Sequence, residues 1–360
     1  MDILLTIIIP TYNMEKYLRK CFDSLIVPDD RLSRLEVLVV NDGSKDSSST
    51  IAHEYETKYP QTFRVIDKEN GNYGSCVNRG LKEAAGKYVK VLDADDYFDN
   101  NVFYRYIDFL VQTQADFVIS DFDVVDEIGT CLSELTYNLP INNLFLLRDI
   151  PDGMNTKILH HAIAYKKDIF NKVDYKQTEG ISYTDDEWIF KPMFVVESVV
   201  YFPQVLYHYL RGREGQTFDP KVIRRTLSQR IDVAKEMVRY YEQNRNICLP
   251  DNFAFVTEKL IRRVQSVYDY HLVVYPSNEN KRQILDFDAD LKLTSPTIYD
   301  GLNDVANNYG WHFIRQWRKM NYSFYALDLL LIRWKRKIWK MLKGRYVNVD
   351  TMPSKYKRQK

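Results

Sequence analysis

The chain has 360 residues, 45% of them hydrophobic and 14% aromatic, enough apolar mass for a full globular core. Its net charge of +1 is unevenly spread: between Arg333 and Lys360 eleven Lys and Arg face the single acid Asp350, a net +10 against −9 elsewhere. Four scattered cysteines without a CxxC spacing argue against a disulfide framework or zinc site and fit a reducing cytosol; a start without basic residues argues against a signal peptide, and the lack of any uncharged apolar run of about 20 residues argues against a membrane span.

In chain order, Leu4–Ile9 is an apolar, strand-forming run stopped by Pro10, and Glu15–Leu25 has helical spacing. Leu35–Val40 predicts a second strand, Ser47–Lys58 a helix and Phe63–Ile66 a third strand. A Gly/Asn-rich turn at Glu69–Ser75 opens a helix reaching Ala85, and Tyr88–Leu92 predicts a fourth strand. Asn101–Thr113 reads as a helix and Asp116–Ser120 as a strand. Continuous apolar strands joined by helices imply a parallel sheet covered on both faces. From 121 to 215 the pattern loosens, with a strand expected at Tyr201–Tyr209; Val222–Asn244 and Asn252–Tyr275 then predict long helices. The expected organisation is a catalytic α/β domain over 1–215, a helical unit over 216–320 and a basic tail over 321–360.

The fourth strand runs straight into Asp93-Ala94-Asp95-Asp96. Carboxylates are poor strand formers and costly to bury unpaired, so such a cluster calls for a neutralising partner. A hard divalent cation carrying a diphosphate answers that need, at the carboxyl edge of a sheet where open α/β folds bind ligands. A second cluster, Tyr183-Thr184-Asp185-Asp186-Glu187-Trp188, offers a general base, although acids at the start of a helix also serve its dipole. His160-His161 forms no ligand set recognisable from the sequence.

Four motifs stand in a consistent order: Ile7-Ile8-Ile9-Pro10-Thr11-Tyr12-Asn13, Val39-Val40-Asn41-Asp42-Gly43-Ser44, the segment from Asn70 to Gly80, and Asp93-Ala94-Asp95-Asp96. Together they resemble the inverting, nucleotide-sugar-dependent glycosyltransferases of family 2, which have the GT-A fold. The resemblance covers about residues 3–215. It implies a Rossmann-like, mostly parallel sheet flanked by helices, here with an α-helical C-terminal extension. It also implies a UDP-sugar pocket lined by Pro10, Thr11, Tyr12, Asn13, Asp42, Asn72, Gly74, Asn78, Asp93, Ala94 and Asp95, with Asp93 on the ribose. Asp95 would hold Mn²⁺ or Mg²⁺, and His208 is a candidate to complete the metal shell. Arg211 and Arg213, in an Arg/Gly-rich loop, would grip the diphosphate. The base falls on Asp185, with Asp186 as the alternative. Two departures stand out: Val77 precedes Asn78 where relatives often have Arg, and Thr184 replaces the Glu of the usual Glu-Asp pair.

The expected activity is transfer of a sugar from a UDP-sugar to a hydroxyl of a lipid-linked glycan in bacterial surface polysaccharide biosynthesis. The alternatives are a polyprenyl-phosphate sugar synthase and a nucleotide-sugar-binding protein without turnover. A nicotinamide-dependent oxidoreductase lacks support, because no GxGxxG turn follows the first strand. Leu331, Trp334, Ile338, Met341 and Leu342 share a helical face flanked by basic residues, a pattern suited to an anionic membrane surface. The expected location is therefore cytoplasmic, at the inner face of the cell membrane, with no nucleic-acid partner.

Overall fold

A computed structural model describes residues 2–306, apart from 142, 152, 214 and 218, together with 312–323 and Trp334. The basic tail expected to bind a membrane, apart from Trp334 and a few residues at its start, lies outside the described residues. The chain divides into two compact units, one ending at Val256 and the other beginning at Thr257.

The first unit is built on β1 (Leu5–Thr11), β2 (Leu35–Asn41), β3 (Phe63–Asp67) and β4 (Tyr88–Val91), parallel strands lying side by side in the order β3-β2-β1-β4. Ile7, Ile8 and Ile9 are fully buried, as a strand covered on both faces requires, each contributing roughly 1.5–3 kcal/mol. The connecting helices are α1 (Leu18–Asp23), the short α2 (Asp29–Leu32), α3 (Ser48–Lys58) and α4 (Asn72–Glu83). Gly80 of α4 lets the helix lie directly on Ile8, since a Cβ there would collide with that side chain.

Beyond β4 the sheet turns mixed. The short β5 (Tyr97–Phe98) precedes α5 (Asn100–Gln112), whose first turn is capped by Asp99 accepting from the Val102 N–H at 2.9 Å. Next come β6 (Phe117–Val125), β7 (Cys131–Leu135), β8 (Ile163–Lys166), α6 (Asp168–Lys172), α7 (Asp185–Phe190) and β9 (Val199–Leu210). The order continues β4-β8-β6-β9-β5, with β7 on β6, for nine strands among the described residues. β8 is antiparallel to β4 and β6, whereas β9 runs parallel to β6.

Two expectations are corrected here. The strand expected to stop at Ser120 continues to Val125 through two carboxylates. Tertiary partners make this possible: Asp121 accepts from the Tyr201 hydroxyl at 2.7 Å and the Tyr137 N–H at 3.1 Å, and Asp123 pairs with His208 at 2.6 Å. The single helix expected over Val222–Asn244 is two, α8 (Pro220–Arg225) and α9 (Gln229–Gln243). They part at Thr226, whose hydroxyl shares a hydrogen bond with Tyr183 at 2.8 Å, a contact invisible to periodicity.

α10 (Pro250–Tyr268) carries the chain into the second unit, which includes a π-helical turn (Asp269–Val274), α11 (Asn278–Thr294), α12 (Pro296–Asp304) and α13 (Phe313–Lys319). Its core is pinned by Asp288, which accepts from the Tyr268 hydroxyl and the Arg318 guanidinium, both at 2.6 Å. No helix among the described residues is long and apolar enough to cross a membrane.

Candidate functional site

Because β2, β1 and β4 are adjacent and parallel, the loops that follow them open on one edge of the sheet. Three sequence motifs meet there. Thr11 ends β1 buried, and its carbonyl accepts from the Asp42 N–H at 2.8 Å. Pro10 precedes it in the strand, and Tyr12 beyond it is 45% exposed, an aromatic face open at the rim. Asn13 adopts φ +54° and braces the second loop: its N–H donates to Ser44 Oγ at 3.0 Å and its Oδ1 accepts from the Lys45 N–H at 2.7 Å.

Asp42 is buried after β2, where Oδ1 accepts from Lys68 Nζ at 2.5 Å and from the Gly71 N–H at 2.9 Å. It is thus tied to the entry of α4 rather than capping α3. Asn72 begins α4 at φ +66°. Gly74 lies so close to the 178 segment that a Cβ would collide with the Thr178 carbonyl. Asn78 departs from the pocket-lining expectation. Its amide clamps the same segment, donating to Gln177 O and Glu179 Oε1 and accepting from the Gln177 N–H, all at 2.8 Å. α4 runs back along the sheet from its start at the edge, so a residue near its C-terminal half faces a different neighbour.

The loop after β4 separates its acids by role. Asp93 Oδ1 accepts from the Tyr73 hydroxyl at 3.0 Å, and Oδ2 lies 3.0 Å from His160 Nε2. Burial pushes the Asp93 carboxyl up, but the charge and hydrogen bond of His160, with the Tyr73 hydroxyl, outweigh it and hold the carboxyl below its ordinary value. Ala94 is buried between the two acids. Asp95 Oδ2 accepts from Arg213 Nε at 2.5 Å and from Gln216 Nε2 at 3.3 Å. Asp96 turns inward and latches β9, taking the Tyr207 hydroxyl at 2.6 Å and the Leu210 N–H at 2.8 Å. Burial first, then the neighbouring Asp95 and Asp93, push its carboxyl well above the usual range.

The opposite wall comes from distant sequence. His160 and His161 sit in a 3₁₀ turn (His160–Ala162) just before β8. The buried Lys90 holds that turn from below, donating to His161 O at 2.7 Å and Ile163 O at 3.1 Å. Burial lowers Lys90 to about 7. His160 Nδ1 lies 3.6 Å from Asp185 Oδ2, so one buried ring faces both the first acid of the β4 loop and the first acid of α7. Burial disfavours the His160 cation, yet Asp93 and Asp185 overcome it and raise its pKa. His161 stacks on Tyr209 at 4.2 Å, and burial beside His160 keeps it neutral, well below its ordinary pKa. Asp185, 39% exposed, and the half-buried Asp186 open α7 at its positive end. Glu187, in contrast, is fully buried in an ion pair with Lys191 at 2.6 Å. Arg211 is buried against the Tyr209 ring, 5.6 Å from its centre, while Arg213 reaches Asp95.

His208 is not placed with Asp95. Successive side chains of a strand point to opposite faces. Tyr207 faces Asp96, so His208 faces away, bonded to Asp123 and lying on the Tyr97 ring at 4.7 Å. Among the described residues, Asp93, His160 and His161 bring one ligand atom each within 4.8 Å of one another, a possible metal-binding group. Both His160 nitrogens already face carboxylates, however, which favours Asp95 as the carboxylate for a hard cation. The presence of Arg213 on Asp95 supports that fit, because the position already balances one positive charge. Sequence reasoning gave no site role to Tyr73, Lys68 or Gln216, and His160 stood out only as one of a pair of histidines without a ligand set.

The profile of glycosyl transferase family 2 matches residues 6–173. EpsJ of Bacillus subtilis strain 168, an uncharacterized glycosyltransferase, is 30% identical over 187 residues, 51% of this chain and 54% of that protein. TarS of Staphylococcus aureus strain Mu50, a poly(ribitol-phosphate) β-N-acetylglucosaminyltransferase, is 27% identical over 211 residues, 59% of this chain and 36% of TarS. The chain thus spans about half the length of these curated relatives, or less. The crystal structure of S. aureus TarS 1–349 in complex with UDP-GlcNAc has the same fold, with a TM-score of 0.64 at 19% identity over 83% of each chain.

Proposed function

Residues 6–173 match the profile of glycosyl transferase family 2, and on that premise we propose that the chain is a member that transfers a sugar from a UDP-sugar to a hydroxyl of a glycan acceptor, with inversion by a single displacement. The observation that carries this reading is the convergence of Asp42, Asp93 and Asp95 on one sheet edge, with Asp185 joined to Asp93 through a single imidazole. Uridine lies against Pro10, Thr11 and Tyr12, with Asp42 and the start of α4 at Asn72 and Gly74 as its wall and Asp93 on the ribose. The acceptor oxygen attacks the anomeric carbon as its bond to the diphosphate breaks, and Asp185, with Asp186 as the alternative, takes the acceptor proton. Asp95 would hold Mn²⁺ or Mg²⁺, which supplies Lewis-acid neutralisation of the leaving diphosphate. Arg213, now on Asp95, and Arg211 beside it carry positive charge to the same diphosphate.

TarS, captured with UDP-GlcNAc, supports a UDP-sugar as donor, and its name supports a surface polymer as acceptor. On this reading the acceptor is lipid-linked, and the basic segment from Arg333 onward binds the anionic inner face of the membrane where it resides. The test is calorimetric titration with UDP, GDP and dTDP, each with Mn²⁺ and with EDTA. Metal-dependent binding selective for UDP is expected; metal-independent binding, or none, overturns the donor assignment.

A further inference from the structure

We infer that His160 is a positioning residue that aims the base: one edge of its ring is anchored on Asp93 and the other orients Asp185. This rests on the glycosyltransferase reading above and goes beyond it, since neither the motifs nor the comparisons assign His160 a role.

The geometry carries the argument. Nε2 is 3.0 Å from Asp93 Oδ2, and Nδ1 is 3.6 Å from Asp185 Oδ2. The Nε2 contact is at hydrogen-bond distance and anchors the ring, while Nδ1 faces Asp185 at ion-pair distance, so the two edges of one ring meet two carboxylates. The ring itself is held. It is buried, its centre lies 3.8 Å from that of His161, and its turn hangs on Lys90 Nζ. Asp93 is steadied in turn by Tyr73. Asp185, by contrast, starts a short helix and is 39% exposed, so its carboxylate faces the open side of the site. A fixed ring nitrogen 3.6 Å from one of its oxygens, at ion-pair distance, draws that oxygen toward the ring and so orients the carboxylate toward the acceptor hydroxyl. In the displacement, the acceptor O–C1 bond forms, the C1–O bond to UDP breaks and the hydroxyl proton passes to Asp185; His160 keeps its protons throughout. Because the anchor is the acid assigned to the ribose, the base is aimed from the donor side of the pocket.

Two amide substitutions separate the edges of the ring. Gln places its NH₂ near the position of Nε2, facing Asp93, and Asn places its NH₂ near Nδ1, facing Asp185. With the full chain, UDP release from a UDP-sugar that the wild type consumes gives kcat, and calorimetry gives UDP affinity. His160→Gln should lower kcat by about 10- to 100-fold, the scale of a misplaced catalytic group, with UDP affinity held within about threefold. His160→Asn, which keeps a donor toward Asp185 but gives up the anchor on Asp93, should lose less kcat than His160→Gln. Adding His160→Gln to Asp185→Asn should bring almost no further loss, because the group it aims is gone. The inference is overturned if His160→Gln turns over like wild type, if both amides lose equally, or if the double variant multiplies the two losses. Should His160→Gln not fold, His160→Asn still decides: a loss of kcat that persists in full when Asp185→Asn is added overturns it. A wild type that releases UDP from no UDP-sugar is a different result, one that removes the glycosyltransferase reading itself.

Discussion

The two walls of the site are made in different ways. The wall on β1, β2 and β4 is local: each acid follows its strand within a few residues, and parallel pairing alone brings the loops together. The wall on β8, α7 and β9 is assembled from residues far apart in sequence, with His160 67 positions from its partner Asp93 and Arg213 118 from Asp95. The first wall collects carboxylates; the second supplies the cationic side chains that answer them, with Asp185 as the proposed base. Charge balance across the cleft is therefore a tertiary property, and each wall is expected to fail differently when altered.

The largest effect is expected on the distant wall. Asp185→Asn should lose about 10²- to 10⁴-fold in kcat while UDP binds as before. Near-normal turnover would move the base to Asp186 and weaken the division of labour. On the local wall, Asp95→Asn should instead act on binding, removing the Mn²⁺-dependent part of UDP affinity. Unchanged metal dependence in calorimetry would end that assignment. A third variant probes the seam between the walls. Gly74→Ala forces a methyl group against the Thr178 carbonyl and should destabilise the fold by about 1–3 kcal/mol in urea melts. An unshifted midpoint would mean that the segment gives way freely.

The smallest effect lies in the sheet behind the distant wall. Burial pushes the Asp121 carboxyl up to about 6, against hydrogen bonds from Tyr201 and Tyr137 that pull it down. In the unfolded chain an aspartate titrates near about 3.9, so the folded state binds this proton more tightly. Stability from this group is full below about pH 4 and is lost as pH rises through about 6. Asp121→Asn carries no such proton and should flatten that part of the stability profile, read as urea midpoints across that range. An unchanged slope would assign it to other groups.

Much of the local wall was legible because its signals are short-range. Apolar strands can be read along the chain, and their β-α alternation implies the parallel core, although β1 runs one residue past the Pro10 expected to stop it. Residues on the distant wall were legible only one at a time: Asp185 and Arg213 stood out as residue types, but their partners did not. His208 shows why. Its chemistry suited a metal, yet strand alternation turned it toward Asp123 once Tyr207 faced Asp96. Asn78 likewise sits in a family motif, but its amide is spent on residues 177–179.

By itself the sequence determined the parallel strands and the acids at their ends, because burial patterns and strand breaks act between near neighbours. Only the tertiary structure decided that β6 runs on through Asp121 and Asp123, that Asp96 is a latch rather than a ligand, and that one histidine links Asp93 to Asp185. Those outcomes depend on which buried charge meets which partner, and a charge far along the chain costs or stabilises only when folding brings it within a few ångströms.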